Sequence, residues 1–87
     1  MARTRKPDSQ PRTYQLQVLI EVDEDGKYVA WCPALEACYT QADTFEESVD
    51  TIREVIALCL EELREAKHPI DLRYPAVIGI KQVEVKV

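Results

Sequence analysis

The feature that most constrains the fold is a change in the period of the hydrophobic pattern near Thr44. From Tyr14 to Val22, apolar and polar residues largely alternate, and a period of two is typical of a half-buried strand. After Thr44, apolar residues recur every three or four positions, which predicts one amphipathic helix. Its apolar stripe comprises Phe45, Val49, Ile52, Ile56, Cys59, Leu60 and Leu63. The 87 residues suffice for one domain, so strand and helix must share one core.

A β-hairpin is predicted after the first strand. The turn is Asp23-Glu24-Asp25-Gly26, in which Gly26 supplies the positive φ that a tight hairpin requires. The return strand is Lys27–Cys32, and Pro33 ends it because proline cannot donate a hydrogen bond to a ladder. A short third strand follows over Cys38–Ala42.

The loop length decides which face of the second strand is buried, and the sequence leaves two alternatives. A two-residue turn places Val22 opposite Val29. A three-residue loop with Gly26 as a bulge buries the other face, namely Tyr28, Ala30 and Cys32. Both alternatives leave apolar side chains on the outer face of the sheet near Leu19, which predicts a homo-oligomer, dimer or tetramer, formed through the sheet.

The helix has clear start and stop signals. Thr44 is a good N-cap residue, and Glu47 follows at the capping-box spacing. The helix should end near Lys67, because Pro69 forbids its continuation. A last strand is predicted over residues 76–87, with a bulge near Lys81-Gln82 where the apolar phase shifts from even to odd positions. The fold class is therefore α+β, a two-layer β-β-β-α-β unit with one helix packed on a mostly antiparallel sheet.

Charge is unevenly distributed along the chain. Residues 1–12 contain four basic residues and one acidic residue, whereas residues 13–87 contain 7 basic and 15 acidic residues, a net charge of −8. The segment 1–12 is polar and has two prolines, so we expect a disordered basic tail, followed by a single domain over 13–87. The acidic body repels phosphate backbones and suits a basic protein partner. The alternative is a nucleic-acid-associated module that acts through the basic tail.

The sequence does not predict an enzyme, a metal site or a cofactor. The cysteines at 32, 38 and 59 and the single histidine at 68 lack the spacing of a zinc site. Glu21, Asp23 and Asp25 could bind Mg²⁺, but the two aspartates are also typical turn residues. The longest apolar run, Val55–Leu60, is far too short to cross a bilayer, and no secretory signal is visible. Unpaired thiols then favour the reducing cytoplasm.

Several motifs together resemble the HicB antitoxin family. They are the run Asp25–Leu35, which reads as a DG turn followed by Y-x-A-x-C-P-x-L, then Cys38, and the helix start Ala42–Glu47 with its D-T-x-E-E pattern. The likeness spans about Tyr14 to Leu63. It implies a partial ribonuclease-H-like fold without nuclease chemistry, here in a stand-alone form that lacks the DNA-binding module many relatives append.

The resemblance also implies a partner. HicB antitoxins neutralise HicA, a small basic toxin that cleaves messenger RNA, and a basic partner matches the acidic body. The acidic helix face and the loop before it would occlude the toxin. The candidate partner-binding residues are Trp31, Pro33, Glu36, Asp43, Glu46, Glu47, Asp50 and Glu54.

Overall fold

A computed structural model describes residues 12–36 and 38–87. Its elements are the strands β1 (Leu19–Val22), β2 (Tyr28–Trp31) and β3 (Tyr39–Ala42) and the helix α1 (Phe45–Glu65). The strands form one antiparallel sheet in the order β1-β2-β3, and α1 packs against one face of it. The predicted α+β class is confirmed. The predicted disordered tail over 1–12 lies outside the described residues except for Arg12.

The hairpin between β1 and β2 adopts the three-residue alternative. Val22 pairs with Tyr28, and Gly26 has a φ of 80°, which favours glycine. The loop is closed by hydrogen bonds from the Asp23 N–H to the Lys27 carbonyl, 3.0 Å, and from the Gly26 N–H to the Asp23 carbonyl, 3.0 Å. This register turns Ala30 toward the helix, where it is fully buried.

The core lies between the helix and the sheet. Its buried residues are Ala30, Cys32, Leu35, Cys38, Ile52, Ile56 and Leu60. Half-buried apolar side chains pack around them from the segment before β1 and from the connector after α1, including Leu16, Val18, Ile70 and Leu72. Among the described residues there is no helix with the length and apolar character that crossing a bilayer requires.

Both ends of α1 are capped. Thr44 is the N-cap residue, and its hydroxyl accepts a hydrogen bond from the Glu47 N–H at 3.1 Å, as predicted. At the other end, the His68 N–H bonds to the Leu63 carbonyl at 2.9 Å and the Lys67 N–H to the Arg64 carbonyl at 3.1 Å. This pair of bonds is a Schellman motif, which requires a left-handed residue after the C-cap, and Lys67 has a φ of 59°.

Replacing Lys67 by glycine should stabilise the chain. A residue with a Cβ is destabilised by roughly 1–2 kcal/mol in the left-handed region, and the greater freedom of an unfolded glycine offsets about 0.4–1 kcal/mol of the gain. We expect the free energy of unfolding of Lys67→Gly to rise by about 0.5–1 kcal/mol in urea denaturation. Lys67→Ala, which keeps the Cβ, is the control and should change little. Equal stabilities of the glycine and alanine variants would contradict the left-handed cap.

Two strand predictions are wrong: the start of the first strand and the existence of the last one. β1 begins at Leu19 and not at Tyr14, because β2 ends at Trp31 and the chain turns away at Pro33, which leaves the earlier residues without a partner. The predicted last strand over 76–87 is not formed. Its apolar side chains lie in solvent, because the segment does not reach any described strand. Residues 76–87 therefore have the sequence pattern of a strand but no neighbouring strand to pair with.

Candidate protein-binding surfaces

One side of α1 carries a row of five acidic residues, here called the acidic ridge. It consists of Glu47, Asp50, Glu54, Glu61 and Glu65. Steps of three, four and seven residues place these side chains on one helix face, opposite the buried stripe, and all five residues are exposed. Leu58 lies among them with 63% of its surface exposed. A large aliphatic side chain inside an acidic surface is suited to contact with a protein partner.

The acidic ridge is not arranged for helix stability. Asp50 and Glu54, like Glu61 and Glu65, are four residues apart, and like charges at this spacing destabilise a helix by roughly 0.2–0.5 kcal/mol per pair. Within the part of the chain that the structure describes, the exposed ion pair between Asp50 and Arg53, with 3.5 Å between Oδ1 and Nη1, offsets part of this repulsion. A cationic surface docked on the ridge would relieve this repulsion.

The start of α1 uses some of its carboxylates for structure. The Glu47 Oε1 accepts a hydrogen bond from the Asp43 N–H at 3.0 Å, so the capping box closes one residue earlier than predicted. The Asp43 carboxylate is hydrogen-bonded to the Lys27 ammonium, which ties the helix start to the hairpin and raises the pKa of Lys27. Asp43 therefore has a charge partner within the chain, whereas Glu46, one turn before Asp50, is exposed and has no ion pair among the described residues.

The outer face of the sheet, opposite α1, is open and partly apolar. Leu19, Trp31 and Tyr39 face one another across the three strands. Trp31 and Tyr39, together with Glu21 and Val29, border a shallow hollow of about 320 Å³, and 65% of the Tyr39 surface is exposed. Trp31 belongs to this face and not to the helix layer. Self-association through this face remains a prediction.

The loop between β2 and β3 is tightly closed. The Cys32 N–H bonds to the Cys38 carbonyl at 3.0 Å, and the Leu35 N–H bonds to the Cys32 carbonyl at 3.1 Å. Leu35 is buried in the core and Pro33 is half-buried, so Glu36 is the predicted loop residue that reaches fully into solvent.

The structure thus divides the predicted partner-binding set among three places. The carboxylates at 43, 46, 47, 50 and 54 lie at the start of α1 or on its outer side, Trp31 lies on the opposite face of the sheet, and Pro33 and Glu36 lie at the sheet end remote from the helix start. On the fold, the acidic ridge extends beyond the predicted set to Glu61 and Glu65 and includes Leu58. The helical period alone was sufficient to identify these three residues.

The acidic hairpin tip is organised as a turn. Asp23 Oδ1 accepts hydrogen bonds from the Lys27 N–H at 2.9 Å and the Asp25 N–H at 3.0 Å, and its Oδ2 accepts one from the Gln41 amide at 2.9 Å. The bond from the Lys27 N–H is the main reason that the pKa of Asp23 is lowered. Within residues 12–36 and 38–87, no three His, Cys, Asp or Glu side chains are grouped as metal ligands would be.

The three thiols are free and lie near one another in the core. Cys32 and Cys38 are buried and Cys59 is half-buried. Burial, reinforced by the neighbouring Cys59 thiol, raises the pKa of Cys38, so this sulfur stays protonated at neutral pH. All three thiols lie in or against the hydrophobic core, where they pack as small apolar side chains.

Comparison with known proteins places the chain among small proteins of similar length. No family model matches it. A UPF0150 protein of Synechocystis sp. is 55% identical over 49 residues, which are 56% of this chain and 71% of that protein. A second UPF0150 protein of the same organism is 44% identical over 57 residues, covering 66% and 72% of the two chains. A UPF0150 protein of Archaeoglobus fulgidus is 38% identical over 69 residues, covering 79% and 91%. Because these matches span more than two thirds of each relative, the chain belongs to the UPF0150 family.

Proposed function

We propose that the chain is a HicB-like, non-catalytic antitoxin of the cytoplasm that binds and neutralises a small basic HicA-type ribonuclease. The observation that carries the proposal is the acidic ridge, an exposed carboxylate surface with Leu58 in its middle. The sequence likeness to HicB antitoxins supplies the class of partner.

The ridge suits a cationic protein for two physical reasons. Its aligned carboxylates attract a basic surface at long range, and such attraction chiefly raises the rate of encounter and excludes wrong partners. Contact with Leu58 would add apolar burial, and buried contacts mainly determine the dissociation rate. A flexible polyanion such as RNA would be repelled by the same surface.

Two groups that could take part in catalysis, the Asp23 carboxylate and the Cys38 thiol, have structural roles. Asp23 holds the hairpin with its carboxylate, and Cys38 is a buried, protonated thiol. An inert scaffold is what occlusion of a toxin requires, because the antitoxin then acts only by covering the toxin's RNA-binding surface. Buried free thiols are also suited to the reducing cytoplasm.

The proposal is tested by an RNA-cleavage assay with a purified HicA-type toxin. Increasing amounts of the full chain should suppress cleavage, and suppression should be complete near equimolar ratio if binding is tight. Undiminished cleavage at tenfold excess of the chain would contradict the antitoxin function. The same assay separates the alternative: a chain without residues 1–12 should inhibit equally well, whereas RNA binding that disappears with this segment would favour a nucleic-acid-associated module.

A further inference from the structure

The C-terminal segment, residues 78–87, has the pattern of a strand but lies entirely in solvent. Every residue in it is exposed, including five large aliphatic ones: Ile78 98%, Ile80 91%, Val83 72%, Val85 74% and Val87, which is fully exposed. Polar residues 82, 84 and 86 alternate with the three valines. An isolated apolar strand gains too little to offset the entropy of ordering it, so this segment needs a surface to cover it.

The free edge of β1 offers such a surface. Within the described part of the chain, no strand pairs with the side of β1 that faces away from β2. Beside this edge lies an open groove of about 620 Å³ between the first extended segment and α1. Its walls are mainly apolar: Leu16, Val18 and Ile20 line one side, and Val49, Ile56 and Ala57 line the other. A strand laid along this edge would complete the ladder and cover the groove.

The segment starts beside the extended residues that lead into β1 and then leaves them. The Gln17 side chain donates to the Val77 carbonyl at 2.9 Å and accepts from the Val77 N–H at 2.7 Å. The side-chain amide thus makes the two hydrogen bonds that the backbone of a paired strand would make. After Val77, no residue is buried against its own domain. Ten extended residues reach roughly 33 Å, enough to lie along a strand of another molecule.

We propose that two copies of this chain exchange their C-terminal segments, each segment pairing with the β1 edge of the other copy and covering its groove. A twofold arrangement satisfies both surfaces at once, because each copy supplies one segment and one edge. On pairing, a bulge near Lys81-Gln82 would turn the isoleucines and the valines to the same side, toward the groove.

The test is the molecular mass of the full chain by analytical ultracentrifugation across a dilution series. A dimer is expected at micromolar concentration. Val83→Ser/Val85→Ser should raise its dissociation constant at least about 100-fold, because each dimer then loses four buried aliphatic side chains. The matched control, Gln82→Ser/Glu84→Ser, alters the other side of the same segment and should leave the dissociation constant nearly unchanged.

Three results would overturn the exchange. The first is a monomeric full chain, which would mean that each segment serves its own copy. The second is an equal effect of the valine and control variants. The third is dissociation by Tyr39→Ser but not by the valine variant, which would place the interface on the outer face of the sheet.

In a dimer refolded from labelled and unlabelled copies, isotope-filtered NOEs between the methyl groups of Val83 or Val85 and those of Leu16 or Val18 should appear between copies.

Discussion

Ile52→Ala is expected to lower the free energy of unfolding by about 3–4 kcal/mol. Ile52 is 1% exposed and lies in the middle of α1, beside the buried Ser48 and above the sheet. Truncating a buried isoleucine removes apolar burial and leaves a cavity, which together cost roughly 2–5 kcal/mol. At roughly 0.05–0.15 kcal/mol per residue, an 87-residue chain has about 4–13 kcal/mol in total. This single change should therefore remove a large fraction of the stability.

The measurement is urea denaturation followed by circular dichroism, with all variants at one protein concentration because association would shift the apparent stability. The control is Leu58→Ala on the solvent side of the same helix, where 63% of the leucine is exposed. It should change the free energy of unfolding by no more than about 0.5 kcal/mol. Similar losses for both variants would show that α1 does not bury the face described here.

Reversing two charges on the acidic ridge should weaken toxin inhibition at least about 100-fold, or about 3 kcal/mol. The variant is Glu54→Lys/Glu65→Lys, and the readout is the inhibition constant in the RNA-cleavage assay. Both introduced lysines would repel a basic toxin that the glutamates attract. Neither change should harm the helix, because each places a cation four residues after a carboxylate, that of Asp50 or that of Glu61. Position 65 is also the last residue of α1, where a cation is favoured by the helix dipole.

The matched control for the ridge variant is Glu24→Lys/Glu84→Lys. It changes the net charge by the same amount, but Glu24 lies in the hairpin turn and Glu84 in the C-terminal segment, and both are exposed. We expect the control to inhibit within about threefold of the parent chain, since rim charges far from a contact contribute little beyond steering. Equal losses in the two variants would mean that total charge, and not the ridge, determines inhibition.

The local elements were predictable because each has a short-range cause. Thr44 and Glu47 mark the helix start through hydrogen bonds within four residues, and the apolar stripe defines which face of α1 is buried. Gly26 marks the turn because its φ is positive. The sequence left the loop length open, however, since both registers bury apolar side chains. In the structure, the Asp23 carboxylate accepts hydrogen bonds from the turn, and these bonds belong to the three-residue loop.

Features that depend on contacts between distant parts of the chain were harder to predict from the sequence. The pattern of residues 76–87 predicts a strand, but a strand needs a partner, and periodicity does not say whether that partner lies in the same molecule. The predicted binding set grouped Trp31 with the helix carboxylates, although the pleat of β2 turns Trp31 to the opposite face. Residues that are close in sequence can lie on opposite surfaces of a two-layer fold. The three-dimensional structure is therefore needed to assign residues to the acidic ridge or to the outer face of the sheet.

The most direct test of the central claim, that the acidic ridge captures a cationic toxin, is the association rate of the full chain with a HicA-type toxin as a function of ionic strength. Attraction between exposed charges is largely screened once the Debye length falls to roughly 3 Å, at about 1 M salt. We expect a stable complex whose association rate falls at least about tenfold between about 0.05 M and 1 M salt, while its dissociation rate changes little. No complex at micromolar concentrations, or an association rate that is independent of salt, would contradict the claim.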